Sequence, residues 1–431
     1  MKNLKWLILF VILIWGQSFA QVKKWVKISD RPGIENLNCN SHFLVTAPEK
    51  GHVLGKASEN SKQNEFVIST DMTLSQVEQA MKIYPPSFEH GEQRLQIMES
   101  LDKIINFSVS DNFSVNPESV RMGYAQRLKE IVTFYRKRVD EGLEALEKTR
   151  VTEGVRVFKF YSSSVILKSA DGTIAIDFAQ GPIGNDYKQR SDEGEPEPLD
   201  YLKTGFYLTQ EQRDRLANLV DVYLITHQHQ DHADYYLAKH MIQAGKPVVG
   251  TEQLKYIWED LSTGIIVPDF EKIQKYFPCE IFTQLGKQYA PAQIKTEKGE
   301  KFAIPSNDPS RYVESIRYLV KIAGITFLQS AEMHTEGYEW LEKAANFGWK
   351  VDVIFSAGSY QGERSVLKFL RDKQIQYFRL PIHEYEITHP NGGKRMAPLL
   401  KGDNREAFDQ KKLMPLIWGE NFLLTEEVIN Q

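Results

Sequence analysis

At 431 residues the chain can hold one large domain and a smaller one. With 26% charged and 42% hydrophobic residues it reads as a folded globular protein, which excludes a disordered or fibrous chain. The formal net charge is −4 and no basic block stands out, so nucleic acid is not an implied partner.

The first twenty residues have the pattern of a secretory signal. Lys2 and Lys5 give a positive start, residues 6–15 are unbroken apolar, and Ser18-Phe19-Ala20 offers small residues for cleavage before Gln21. The apolar run is too short to span a bilayer comfortably. The expectation is a periplasmic or secreted protein with no integral membrane segment after cleavage. Cleavage would remove Lys2 and Lys5 and take the net charge from −4 to −6 (−4 minus 2). Two cysteines are present, Cys39 and Cys279. A disulfide between them and a pair of buried, unpaired thiols are equally open.

Residues 21–150 read as a mainly helical region. Thr73-Leu74-Ser75-Gln76 fits a capping box, and its helix should stop before Pro85-Pro86. A second helix is predicted over 91–105. Asn116-Pro117 makes a cap and first-turn pair for a long third helix. Tyr124, Leu128, Ile131, Tyr135, Val139, Leu143 and Leu146 form its apolar stripe, with Lys129, Arg136, Lys137, Asp140 and Glu144 on the other faces. Such a region is either a cap packed on the main domain or a lid over a substrate pocket.

From residue 154 the pattern changes to strands. Residues 155–168 are β-rich, and Asp171-Gly172 supplies a hairpin turn before Thr173-Ile174-Ala175-Ile176. Residues 181–198 read as a long loop and 208–219 as a helix. Further strands are predicted at 247–249, 316–322, 325–328, 351–355 and 376–380, with Ala323-Gly324 as a turn. Strands alternating with helices indicate an α/β fold for residues 151–431.

The richest chemistry follows the apolar run Val222-Tyr223-Leu224-Ile225. There the chain reads His227-Gln228-His229-Gln230-Asp231-His232. Imidazole nitrogen and carboxylate oxygen hold divalent metals and leave positions open to water. His227 and His229 are two apart, so both can point one way from an extended loop. Three of ten histidines within six residues make a purely structural polar loop a poor explanation. Other strands also run toward ligand-type residues: 325–328 toward Glu332, and 376–380 toward His383. Ligands gathered at strand ends are how α/β folds build sites. Gly358-Ser359 lacks the G-x-S-x-G frame of a nucleophilic serine, and Gly-rich phosphate loops are absent.

Thr226 to His232 resembles the HxHxDH signature of the metallo-β-lactamase superfamily. Ile176-Asp177 resembles that family's opening strands, and Leu380-Pro381-Ile382-His383 its last metal-binding histidine. The resemblance covers about residues 154–390. It is nearest to the branch that includes ascorbate-6-phosphate lactonase and N-acyl-phosphatidylethanolamine phospholipase D. It implies an αββα sandwich with one or two metal ions, usually zinc. It assigns His227 and His229 to a first ion and Asp231, His232 and His383 to a second. Asp231 would also orient or deprotonate the attacking water.

Two positions depart from the family. Its third histidine falls where this chain reads Ile304-Pro305-Ser306-Asn307-Asp308, leaving Asp308 or Asn307 as oxygen ligands. Its bridging Asp falls in Ser330-Ala331-Glu332-Met333-His334, where Glu332 could bridge and His334 could replace the missing imidazole. His389 is a candidate near His383, His240 reads as structural, and Tyr360 and Arg364 are substrate-facing candidates or part of an exposed polar loop. The expectation is an exported hydrolase using metal-bound hydroxide on an ester, lactone or phosphodiester of a small or lipid-like substrate. The alternative is a degenerate scaffold that binds metal or ligand without turnover.

Overall fold

Thr73 opens a helix as the sequence predicts. Its Oγ1 accepts the Gln76 N–H at 3.3 Å while Gln76 Oε1 accepts the Thr73 N–H at 2.8 Å, both bonds of a capping box. In this computed structural model the described residues are 68–105, 118–178, 208–228, 232–289, 293–295, 301–303, 312–330, 338–356, 361–382 and 400–431. All of them lie in one compact unit, Glu65–Gln431. The signal segment, Cys39, the Asn116-Pro117 cap and the 181–198 loop lie outside them.

Helix α1 (Leu74–Ile83) stops where expected, because Tyr84 precedes Pro85 and is driven out of the helical region, with φ −120° and ψ 71°. Helix α2 spans Gly91–Ile105 and α3 spans Glu118–Lys148. The described part of the predicted stripe on α3, Ile131, Tyr135, Val139, Leu143 and Leu146, is buried. The buried face is wider than the stripe, taking in Val132, Phe134 and Arg138, because the segment around Trp418 covers a second side. Arg138 Nε donates to Trp418 O at 3.0 Å. Gly142 permits the close approach, since a Cβ there would stand 2.9 Å from Gly419 Cα. Arg94 of α2 is buried and pairs bidentately with Glu420 at 2.5 and 2.7 Å. The helices are thus tied to the C-terminal segment and share its apolar core.

Two sheets form the centre. The first has strands β1 (Val155–Lys159), β2 (Val165–Lys168), β3 (Thr173–Ile176), β4 (Val222–Leu224), β5 (Val248–Val249) and β6 (Ile265–Ile266). The second begins with β7 (Ile273–Tyr276) and β8 (Cys279–Tyr289). A separate small hairpin follows, β9 (Gln293–Lys295) with β10 (Lys301–Ala303). Then come β11 (Tyr312–Ile322), β12 (Ile325–Gln329), β13 (Val353–Ser356) and β14 (Phe378–Pro381), and β15 (Asn421–Leu424) returns to the first sheet. The orders are β15-β1-β2-β3-β4-β5-β6 and β14-β13-β12-β11-β8-β7. Each sheet is antiparallel on one side and parallel on the other; the change falls at β3 in the first and at β12 in the second.

Side-chain alternation assigns the layers. From β11, Ile316, Tyr318, Val320 and Ile322 join the core shared with the first sheet. From its other face, Leu319 packs with Phe282, Leu328 and Ile354 against Trp340, Leu341, Val366 and Leu370. Those last four lie on α7 (Glu339–Asn346) and α8 (Gln361–Asp372). On the outside of the first sheet, Lys168 Nζ donates to Leu146 O of α3 at 2.5 Å. Helices α4 (Gln210–Leu219) and α5 (Tyr235–Gln243) pack beside α3 and β5, and a short α6 (Glu252–Ile257) follows β5. The architecture is α/β, an αββα sandwich preceded by helices.

Strand β8, next to the edge strand β7, was not apparent from the sequence, because Glu280, Thr283, Gln284 and Lys287 interrupt its apolar pattern. Cys279, at its start, is a buried free thiol whose pKa burial pushes up to about 12. No described helix is long and apolar enough to cross a membrane.

Candidate metal centre

Strands β3 and β4 run parallel, so their carboxyl ends lie side by side. Here β3 hands over to Asp177, and β4 leads through Ile225 and Thr226 to His227. This is where open α/β sheets place their sites.

Asp177 is fully buried and has φ +48°, in the left-handed region that Asp tolerates better than most residues. Its N–H still donates to Leu224 O at 2.9 Å. Its Oδ1 accepts the Thr226 N–H at 2.7 Å. Its Oδ2 accepts from Thr226 Oγ1 at 3.0 Å, Gln329 Nε2 at 2.8 Å and His232 Nδ1 at 3.0 Å. These four donors offset the cost of burying the carboxylate.

A carboxylate has no proton to give, and that fixes the rest of the network. Thr226 Oγ1 gives its one proton to Asp177, so it accepts from His227 Nδ1 at 2.9 Å. His232 Nδ1 donates to Asp177, with Thr226 Oγ1 also within 3.3 Å. Both imidazoles then carry a proton on Nδ1, assigned from donor counting, and in the neutral ring that leaves the lone pair on Nε2. The two rings are buried, with centroids 4.0 Å apart and planes tilted by 42°. An imidazole oriented through one nitrogen by a carboxylate or hydroxyl presents the other nitrogen as a metal donor. The donor chemistry therefore suits a divalent ion.

The far root of the loop is pinned as well. Asp234 caps α5, accepting the N–H groups of Tyr236 and Leu237 at 2.9 and 3.0 Å. Its own N–H donates to Tyr223 Oη at 2.9 Å, and that hydroxyl donates to Phe178 O at 2.8 Å. Burial, followed by the charge of Asp234, holds the Tyr223 hydroxyl well above the ordinary phenol range.

Of the residues singled out in the sequence, His227 and His232 are brought together. His229, Asp231, Asn307, Asp308, Glu332, His334, Tyr360, His383 and His389 lie outside the described residues. Arg364 falls on α8. His240 sits at the end of α5, with Nδ1 2.8 Å from Tyr236 O and Nε2 3.0 Å from Asp214 Oδ1, a tie between α5 and α4. Among the described residues no three His, Cys, Asp or Glu side chains form a group able to hold a metal. Sequence reasoning missed the roles of Asp177 and Gln329. The available signal was an Asp directly after the apolar run Ile174-Ala175-Ile176.

No protein-family model matches the chain, and no curated protein matches it. Solved structures do match, and they include metallo-hydrolases. A "possible metal-dependent hydrolase" from Veillonella parvula is 15% identical, with a TM-score of 0.40, over 64% of this chain and 100% of its own. Igni18, a metallo hydrolase from Ignicoccus hospitalis, is 16% identical, with a TM-score of 0.34, over 63% of this chain and 98% of its own. The metallo-beta-lactamase fold protein YhfI from Bacillus subtilis is 12% identical, with a TM-score of 0.34, over 63% of this chain and 99% of its own. These TM-scores are all below 0.5, and the functional reading rests instead on the chain's own residues.

Proposed function

We propose that the chain is a metal-dependent hydrolase of the metallo-β-lactamase type, with its centre at the carboxyl ends of β3 and β4. The observation that carries this is the His227–His232 pair, buried and held through Nδ1 by Thr226 and Asp177. In the full reading His227 and His229 serve one ion and Asp231, His232 and His383 a second. Glu332 would be a candidate bridging ligand, with Asp308 and His334 as further ligand candidates. When bound, zinc or another divalent ion would polarise the scissile group and make water acidic enough to react near neutral pH.

The chain's own side chains do the rest. Asp177 and Thr226 keep both imidazoles in the ligating tautomer. Asp231 orients the attacking water or takes its proton. The buried surroundings of His227 and His232 limit solvent access and strengthen local electrostatics. The likeness of the motif to the lactonase and phospholipase branch supports an ester, lactone or phosphodiester bond in a small or lipid-like substrate. The N-terminal signal pattern supports export, and the secreted or periplasmic chain is expected to begin at Gln21 on N-terminal sequencing.

The test is a panel of ester, lactone and phosphodiester substrates. EDTA-sensitive turnover of at least one member is expected, abolished in a folded His227→Ala variant. Unchanged turnover in that variant would refute the reading. A wild-type chain that holds metal but turns over nothing supports the second reading, a binding scaffold without catalysis. The departures at 304–308 and Glu332 favour that reading.

A further inference from the structure

We propose that the second sheet holds the histidine loop in its ligating position through an inter-sheet clamp, with Gln329 and Tyr318 as positioning residues. This rests on the metal reading above. Three donors of the second sheet converge on the root of the loop: Ile316 N–H on Thr226 O at 2.8 Å, Tyr318 Oη on Ile225 O at 2.9 Å, and Gln329 Nε2 on Asp177 Oδ2 at 2.8 Å. The Ile225 N–H donates within its own sheet, to Val249 O at 2.9 Å. The carbonyls of Ile225 and Thr226, by contrast, receive donors from across the sandwich.

The geometry makes the three donors one unit. Tyr318 and Gln329 are register partners on β11 and β12, so they stand side by side on the inner face. Ile316 lies two residues from Tyr318 and shares that face. Both side chains are buried. A buried polar group persists where its bonds are made, and here the bonds span two sheets. The position of Thr226 sets Nδ1 of His227, and the position of Asp177 sets Nδ1 of His232. Sheet two, by fixing Thr226 and Asp177, fixes where both Nε2 lone pairs point. Neither Gln329 nor Tyr318 needs to touch a metal for this effect.

The clamp predicts that metal affinity depends on side chains that are not ligands. Zinc affinity of the purified protein would be measured by competition with a chromophoric chelator. The set is wild type, Gln329→Leu, Tyr318→Phe, the double variant and Val320→Ala. Val320 is a buried residue of β11 whose truncation lowers stability, and its side chain has no hydrogen-bonding group to offer the loop. Each clamp variant is expected to weaken zinc binding roughly 10-fold to 100-fold, the range for partners that orient metal-binding histidines. The double variant should be weaker still, and Val320→Ala should stay within about twofold while melting lower. Tyr318→Phe keeps the ring and carries the test if Gln329→Leu does not fold. Wild-type binding with both clamp variants within twofold of it overturns the clamp alone. A wild-type chain that binds no zinc overturns the metal reading and the clamp together.

Discussion

The two ends of the sandwich are built on opposite plans. At the hairpin end the turns close on contacts local in sequence. Ser169 Oγ accepts the Asp171 N–H two residues away, and Ala323 and Gly324 make a tight turn with φ of +47° and +81°. Phe277, in the β7–β8 turn, is 73% exposed. At the centre end the contacts are distant: Asp177 meets Thr226 across 49 residues, Ile225 meets Tyr318 across 93, and Asp177 meets Gln329 across 152. Turn chemistry shapes one end, whereas the other requires both sheets to be assembled before its polar groups are satisfied. Removing a side chain should therefore cost far more at the centre end.

The largest contrast is between two aspartates. Asp177→Ala removes the acceptor of four buried donors and should cost roughly 3–5 kcal/mol in urea unfolding. Asp171→Ala, on the exposed hairpin, should change stability by no more than about 0.5 kcal/mol. Equal effects would show that the buried network adds nothing at Asp177. Next in size, Gly142→Ala pushes α3 off Gly419 and should cost about 1–3 kcal/mol. Because α3 shares the main core, unfolding should remain a single transition by fluorescence and circular dichroism.

The elements that were legible in the sequence are those with local causes. The capping box at Thr73, the stop before Pro85, the α3 stripe and the turns at Asp171-Gly172 and Ala323-Gly324 all depend on neighbours within a few residues. His227 and His232 were legible because they lie in one short loop. Gln329 was not, since nothing around it marks it as a partner of Asp177. Its role appears when β12 lies opposite β3 and β4. The breadth of the buried face of α3 was hidden for the same reason, because Trp418 and Gly419 come from the other end of the chain.

Smaller effects are expected at the hairpin end. Lys246 Nζ donates to the carbonyls of Ala217, Asn218 and Val220 at 2.7, 3.0 and 2.7 Å, closing the C-terminus of α4. Lys246→Met should cost about 1 kcal/mol, read from the urea midpoint. Cys279 gives a pH effect whose sign follows from burial. Its folded pKa of about 12 lies above the ordinary thiol value of 9.0, so the folded state keeps the proton longer. The contribution is intact below about pH 9 and is lost as pH rises toward 12. In a Cys39→Ser background, alkylation at pH 8.5 should be much slower in native than in urea-unfolded protein. Replacing Cys279 by Ala should flatten the decline in stability above pH 9.

The most direct test of the central claim is the metal content of purified wild type and His232→Ala, measured by elemental mass spectrometry after zinc loading and desalting. An imidazole pair oriented by Asp177 and Thr226 predicts about one or two ions per wild-type chain and a clear fall in the variant. A folded wild-type chain with no metal above the buffer level would contradict it.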